Sequence, residues 1–212
     1  AVEQGMPAIA ITDHGNMFGA YDFWKQATAK GIKPIIGTEA YVTPGTNRGD
    51  KTRVRWGRSD QARDDVGGSG AYTHMTLLSQ NNEGMHNLFR LSSRASIEGF
   101  YFKPRMDREL LSQYSKGIIA TTGCVGGEVQ TKLRLGLYDE ARQAASEFQD
   151  IFGKENFFAE VMDHGIDIER RTMLDLIKLA KELDMPLLAT NDLHYTHAHD
   201  ATAHAALLCV QS

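Results

Sequence analysis

The sequence predicts an α/β fold: a closed or nearly closed β/α barrel of parallel strand–helix–strand units. Three observations carry this reading. Short apolar runs recur at residues 8–11, 33–36, 117–123 and 186–190, and such runs suit strands buried on both faces. Stretches with apolar residues at helical spacing separate them, which is the pattern of βαβ units. Each run then leads into residues able to bind a metal: Asp13 and His14, Glu39, Cys124, or Asp192 and His194. In α/β folds the carboxyl ends of strands form the rim where ligands bind.

Composition narrows the function classes. The 212 residues hold 42% hydrophobic and 24% charged side chains, the balance of an ordinary globular domain. The formal net charge of −4 supplies no global field for nucleic acid, although a local basic patch is enough. No apolar run is long enough to span a bilayer, and no secretory signal opens the chain. Two cysteines, Cys124 and Cys209, are too few for a disulfide framework, so a reducing, cytoplasmic setting is expected. The first five residues read as the tail of a helix and a turn. The barrel's first strand is therefore expected to lie upstream of this chain.

The elements follow in order. Residues 16–30 read as a helix, with Met17, Ala20, Tyr21 and Trp24 at helical spacing and Gly31 as its stop. That aromatic stripe is expected to pack in the core. Residues 33–42 form the next strand. Residues 43–70 are rich in Gly, Asp and Arg and read as a long surface insertion. Arg48, Lys51, Arg53, Arg55, Arg58 and Arg63 surround Trp56 there, a pattern able to grip a phosphate backbone and stack a base. Asp50, Asp60, Asp64 and Asp65 dilute the charge and favour a solvated loop. Residues 72–78 alternate as a strand carrying His74, and 81–96 form a helix. Residues 100–105 read as a loop of aromatics beside Lys103 and Arg105, whose cations suit phosphate. Asp107 N-caps a short helix to residue 114. The strand at 117–123 ends at Cys124, and Gly126 and Gly127 open a helix. A further helix spans 138–152. A strand at 156–162 ends at Asp163 and His164, and His164 is placed to touch substrate. A helix over 167–183 and a strand over 186–190 lead to a helical tail, residues 197–210. Roughly six strands result.

Taken singly, these side chains say little. A lone His74 is an ordinary core or surface histidine, and a lone Cys124 is a small hydrophobe. Together, Asp13, His14, Glu39, His74, Cys124, Asp192 and His194 all lie on or just after strands. With the chain extended there, Asp192 and His194 would point the same way. Mixed imidazole, carboxylate and thiolate donors suit zinc, with manganese or iron where oxygen dominates. The donors are too many for one tetrahedral ion, so two or three divalent ions are expected. His86, His197, His199 and His204 fall in helical segments and are expected to pack or be solvated.

These segments also carry a resemblance. Ile-Thr-Asp-His-Gly at 11–15, Gly-Thr-Glu at 37–39, the strand with His74, Thr-Thr-Gly-Cys at 121–124 and Asn-Asp-Leu-His-Tyr at 191–195 resemble the motifs of the PHP (polymerase and histidinol phosphatase) domain. Residues 100–107, 123–127 and 207–212 resemble the amino-terminal domain of bacterial replicative DNA polymerase III α subunits, and the 43–70 insertion resembles an actinobacterial type. The resemblance covers the whole chain, residues 1–212. It implies a distorted (β/α)7 barrel, here without its first strand, around a trinuclear metal centre. His14, Glu39, His74, Cys124, Asp192 and His194 fall at ligand positions; Asp13 precedes one and is expected to orient it. Asp13 and Asp192 are the catalytic candidates, and Lys103, Arg105 and His164 the substrate contacts. The family's His-x-His pair and following Asp fall outside the sequence.

The implied activity is metal-assisted hydrolysis of a phosphodiester, as a 3′→5′ exonuclease proofreading a new DNA strand. The implied partners are a primer–template 3′ end, the rest of the polymerase chain, and the sliding clamp and other replisome subunits. No membrane is expected among them. One rival is an inactive domain that braces the polymerase or binds a separate proofreading subunit. The other is a small phosphoesterase.

Overall fold

The computed structural model describes residues 1–55 and 69–211. Trp56, Arg58, Arg63, Asp60, Asp64 and Asp65 lie outside the described residues. A 3₁₀ turn (Val2–Gln4) leads to β1 (Ala8–Ile11), α1 (Ala20–Ala29) and β2 (Lys33–Val42). Two short strands, β3 (Val54–Arg55) and β4 (Ser69–Gly70), pair with each other. Next come β5 (Thr73–Ser79), α2 (Asn82–Glu98), β6 (Phe100–Tyr101), β7 (Lys103–Met106) and α3 (Arg108–Gln113). The chain continues through β8 (Ile118–Thr121), α4 (Glu128–Arg134), α5 (Tyr138–Phe152), β9 (Phe157–Val161), α6 (Asp167–Glu182) and β10 (Leu187–Ala189). A 3₁₀ turn (Ala198–Asp200) then enters α7 (Ala201–Gln211).

The main sheet is a curled half-barrel in the order β10-β9-β8-β5-β2-β7-β6, and β1 adds to β2. The expected all-parallel pairing needs correction. Strands β1–β2, β2–β7, β8–β9 and β9–β10 are parallel, but β5 runs antiparallel to both β2 and β8. A parallel neighbour needs a crossover, usually a helix. No helix stands between β2 and β5 among the described residues, and the chain returns antiparallel. The expected loop at residues 100–105 is a tight hairpin, β6–β7, turned by Phe102 at φ 60°.

The two faces of the central strands differ, because successive side chains alternate. Ala40, Val42, Met75, Leu77, Ile118, Ala120, Phe157 and Ala159 form one face and join the core with Leu88, Leu91, Phe148 and Leu179 from the helices. Burying a large apolar side chain of this kind contributes roughly 1.5–3 kcal/mol. The other face carries Glu39 and Tyr41 on β2 and His74 and Thr76 on β5, where Tyr41 faces His74 and Glu39 faces Thr76. These strands are not apolar on both sides, as the runs suggest; one face is given over to polar groups.

The aromatic stripe of α1 also departs from expectation. Ala20 and Ala27 are its buried positions, so small side chains let the helix lie close to the sheet. Tyr21 and Trp24 face outward, with Phe18 91% exposed just before them. The Asp107 cap is present: its carboxylate accepts from Leu110 N–H at 2.9 Å. Gly84, in the first turn of α2, packs on Gly117 so closely that a Cβ would lie 1.7 Å from its carbonyl oxygen. No helix among the described residues is long and apolar enough to cross a membrane.

Candidate metal centre

Four segments meet at one rim of the polar face. The chain leaving β1 continues along β2, with Glu39 N–H donating to Asp13 O at 3.0 Å and Gly15 N–H donating to Glu39 O at 2.8 Å. This pairing sets His14 beside Glu39. His74 enters from the amino end of β5, because that strand runs the other way. The Cys124 loop is stitched to the same point: His74 N–H donates to Gly126 O at 3.1 Å. Gly123 has φ +75°, and a Cβ there would stand 2.8 Å from His74 O. A glycine is therefore required for the loop to come this close.

Glu39 is the hub. One carboxylate oxygen lies 3.2 Å from His14 Nδ1, and the other bonds His74 Nδ1. One donor atom each from His14, Glu39 and His74 falls within 4.8 Å of the others. Cys124 Sγ lies 4.0 Å from His74 Nδ1 and accepts from Gly126 N–H at 3.4 Å. The His194 ring stands 5.8 Å from that of His14. Tyr41 packs edge-on against His74 at 5.3 Å, with Tyr72 4.9 Å behind it.

Charge follows from this packing. Burial pushes the Glu39 carboxyl up, but the His74 bond and the charges of His74, His14 and His194 outweigh it and hold its pKa below the usual value. Burial pulls the His74 imidazolium down, but bonds to Cys124 and Glu39 raise its pKa to about 10. Tyr41 is pushed up to about 12 by burial, by the Glu39 charge and by Tyr72. Two imidazoles, a buried carboxylate and a nearby thiol fit a divalent ion by donor type and spacing. His14 is half exposed, which leaves the centre open on one side.

The remaining expected residues are placed less simply. The chain at 190–195 is not extended. Asp192 adopts φ 39°, and His194 Nδ1 turns back to Asp192 O at 2.7 Å. The turned chain therefore does not set Asp192 and His194 on one side by alternate spacing. The Asp192 carboxylate stays 4.0 Å from His194 Nδ1, outside the tight trio. The Asp13 carboxylate is not part of the trio; it accepts from Gly19 N–H at 3.1 Å, at the entry to α1. Lys103 Nζ lies 5.6 Å from the Tyr41 ring and is exposed. Arg105 is not available to a phosphate. It is 1% exposed, and its guanidinium donates to Gly99 O, Ala71 O and Arg48 O. Arg48 is likewise engaged, with Glu98, Asp107 and Glu109. The ring nitrogens of His164 lie 2.8 Å from a Glu169 oxygen and 2.7 Å from Asn191 O. His164 thus clamps the exits of β9 and β10. His204 packs on His194, 5.7 Å between rings.

Two residues on the polar face escape the motif reading. Tyr41 sits in an apolar-looking strand, and Glu160 is the lone acidic side chain of β9. A charge inside an otherwise apolar strand was the available signal for Glu160.

A curled α/β sheet with histidine, carboxylate and thiol donors gathered on one rim defines a domain built around a candidate metal centre. Residues 1–164 match the PHP domain, and the chain belongs to that family. Across 98% of its length it is 60% identical to DNA polymerase III subunit alpha of Saccharopolyspora erythraea and 54% identical to that of Mycobacterium tuberculosis. Across 97% it is 43% identical to that of Thermus aquaticus. The chain spans 18%, 18% and 16% of the length of these three relatives.

Proposed function

We propose that this chain is the PHP domain of a replicative DNA polymerase III α subunit, where it hydrolyses phosphodiesters from a 3′ end. The observation that carries the reading is the His14–Glu39–His74 trio, whose donor atoms fall within 4.8 Å of one another. Cys124, Asp192 and His194 extend this donor set. When bound there, two or three divalent ions, zinc foremost and manganese or iron after it, would polarise a phosphate and supply hydroxide near neutral pH.

The chain's own residues have distinct tasks. Glu39 holds both imidazoles through its two oxygens and balances cationic charge. His14, at the exposed edge, lines the entry for a primer end. Lys103 draws the phosphate backbone toward the rim. Asp13 works through the backbone, since its carbonyl fixes Glu39 N–H and its carboxylate fixes the turn into α1. His164 holds the Asn191–His194 loop in place rather than touching substrate. The primer–template end, the rest of the polymerase chain, and the clamp and other replisome subunits reached through it complete the proposed setting, in the cytoplasm.

A second reading, a brace within the larger polymerase, is favoured by one observation. Phe18 just before α1, Tyr21 and Trp24 on α1 and Phe89 on α2 form an exposed aromatic face. Patches of this kind mark interaction sites.

The deciding experiment uses the full-length polymerase. Asp192→Asn is expected to abolish removal of a mismatched 3′ nucleotide while leaving nucleotide incorporation intact. Retained hydrolysis in that variant, or a preference for phosphomonoesters in the parent, would overturn the nuclease reading.

A further inference from the structure

We infer that Glu160 is a positioning residue for the metal centre, acting through three threonine hydroxyls that hold the ligand-bearing segments in register. The inference rests on the metal-binding reading above. Glu160 is 6% exposed on β9, and among the described residues no basic side chain pairs with it. One oxygen accepts from Thr190 Oγ1 at 2.7 Å. The other accepts from Thr121 Oγ1 and, at 3.2 Å, from Thr76 Oγ1.

Each partner stands next to a ligand segment. Thr76 shares the polar face of β5 with His74. Thr121 ends β8 and begins the loop to Cys124, and its oxygen also accepts from Gly123 N–H at 3.0 Å. Thr190 follows β10 and opens the loop to Asp192 and His194. The backbone repeats the link, with Glu160 N–H donating to Thr122 Oγ1 at 3.0 Å. A buried carboxylate without a cation is costly unless its oxygens are saturated by donors. Here the donors are the segments that must converge. Removing the charge, or one hydroxyl, releases a segment without touching a ligand. Outer-shell partners of metal ligands typically shift affinity by 10–100-fold.

The test measures zinc retained by the full-length polymerase at buffered free zinc, with His74→Ala setting the background. Glu160→Gln and Thr190→Val are expected to weaken retention by about ten-fold. Thr190→Ser, which keeps the hydroxyl, is expected to restore it. Valine matches threonine in shape, so the Thr190 pair decides the matter even where Glu160→Gln fails to fold. Parent-like retention in Thr190→Val, or equal loss in Thr190→Ser, overturns the inference. A parent that holds no more zinc than His74→Ala overturns the metal reading itself, and the inference with it.

Discussion

Replacing Arg105 with alanine separates a fold role from a DNA contact. Its guanidinium makes bonds of 2.8, 3.0 and 3.3 Å to the carbonyls of Arg48, Gly99 and Ala71. It also lies 5.1 Å from the centre of the Tyr101 ring. These bonds tie the segment after β2, the end of α2 and the segment before β5 to one hairpin. Hydrogen bonds to charged groups each contribute about 1.5–3 kcal/mol. Counting the two shorter ones, with some relaxation, gives a loss of about 4 kcal/mol. That is a large part of the stability of a typical domain. In urea, with a slope of about 2 kcal/mol/M, the midpoint should fall by about 2 M. Lysine has no fork and should recover only part of the loss. An unchanged midpoint, together with weakened DNA binding, would show that Arg105 contacts substrate and does not hold the fold.

Three further outcomes are expected. Gly84→Ala drives a Cβ into the Gly117 carbonyl, and backbone cannot give as a side chain does, so a loss of about 3 kcal/mol should appear in the same urea series. The bond to Glu169, then that to Asn191 O, raises the His164 pKa above 6.5, so the stability it contributes is full below that pH and is lost as pH rises through the raised value. The difference in melting temperature between the parent and His164→Ala should therefore be largest in mild acid and shrink in mild alkali. Chelation of divalent ions should lower the melting temperature of the parent and leave that of Glu39→Ala unchanged, because a ligand stabilises only the state that binds it.

Much of this was legible in the residues. The cap at Asp107, the helix at Tyr138–Phe152 and the strand at Lys33–Val42 follow from local chemistry, and the structure places them within a residue or so. The reversal of β5 was not legible, because strand direction depends on the connection and not on the strand's own pattern. The same limit applies to His74, which reaches the rim from an amino end. Arg105 looked like a phosphate contact because a cation's burial is set by distant backbone, here the carbonyls of Arg48 and Ala71. The α1 aromatics looked like core because spacing reveals a stripe but not which side faces the sheet; Ala20 and Ala27 decided that.

His14, Glu39 and His74 are proposed to hold divalent metal, with Cys124 and His194 beside them. Anomalous scattering at metal absorption edges, from crystals of the full-length protein, is the decisive measurement. A peak within about 2.0–2.3 Å of donor atoms of His14, Glu39 and His74 is the predicted result. A map with no peak among these residues, at edges covering zinc, manganese and iron, would contradict it.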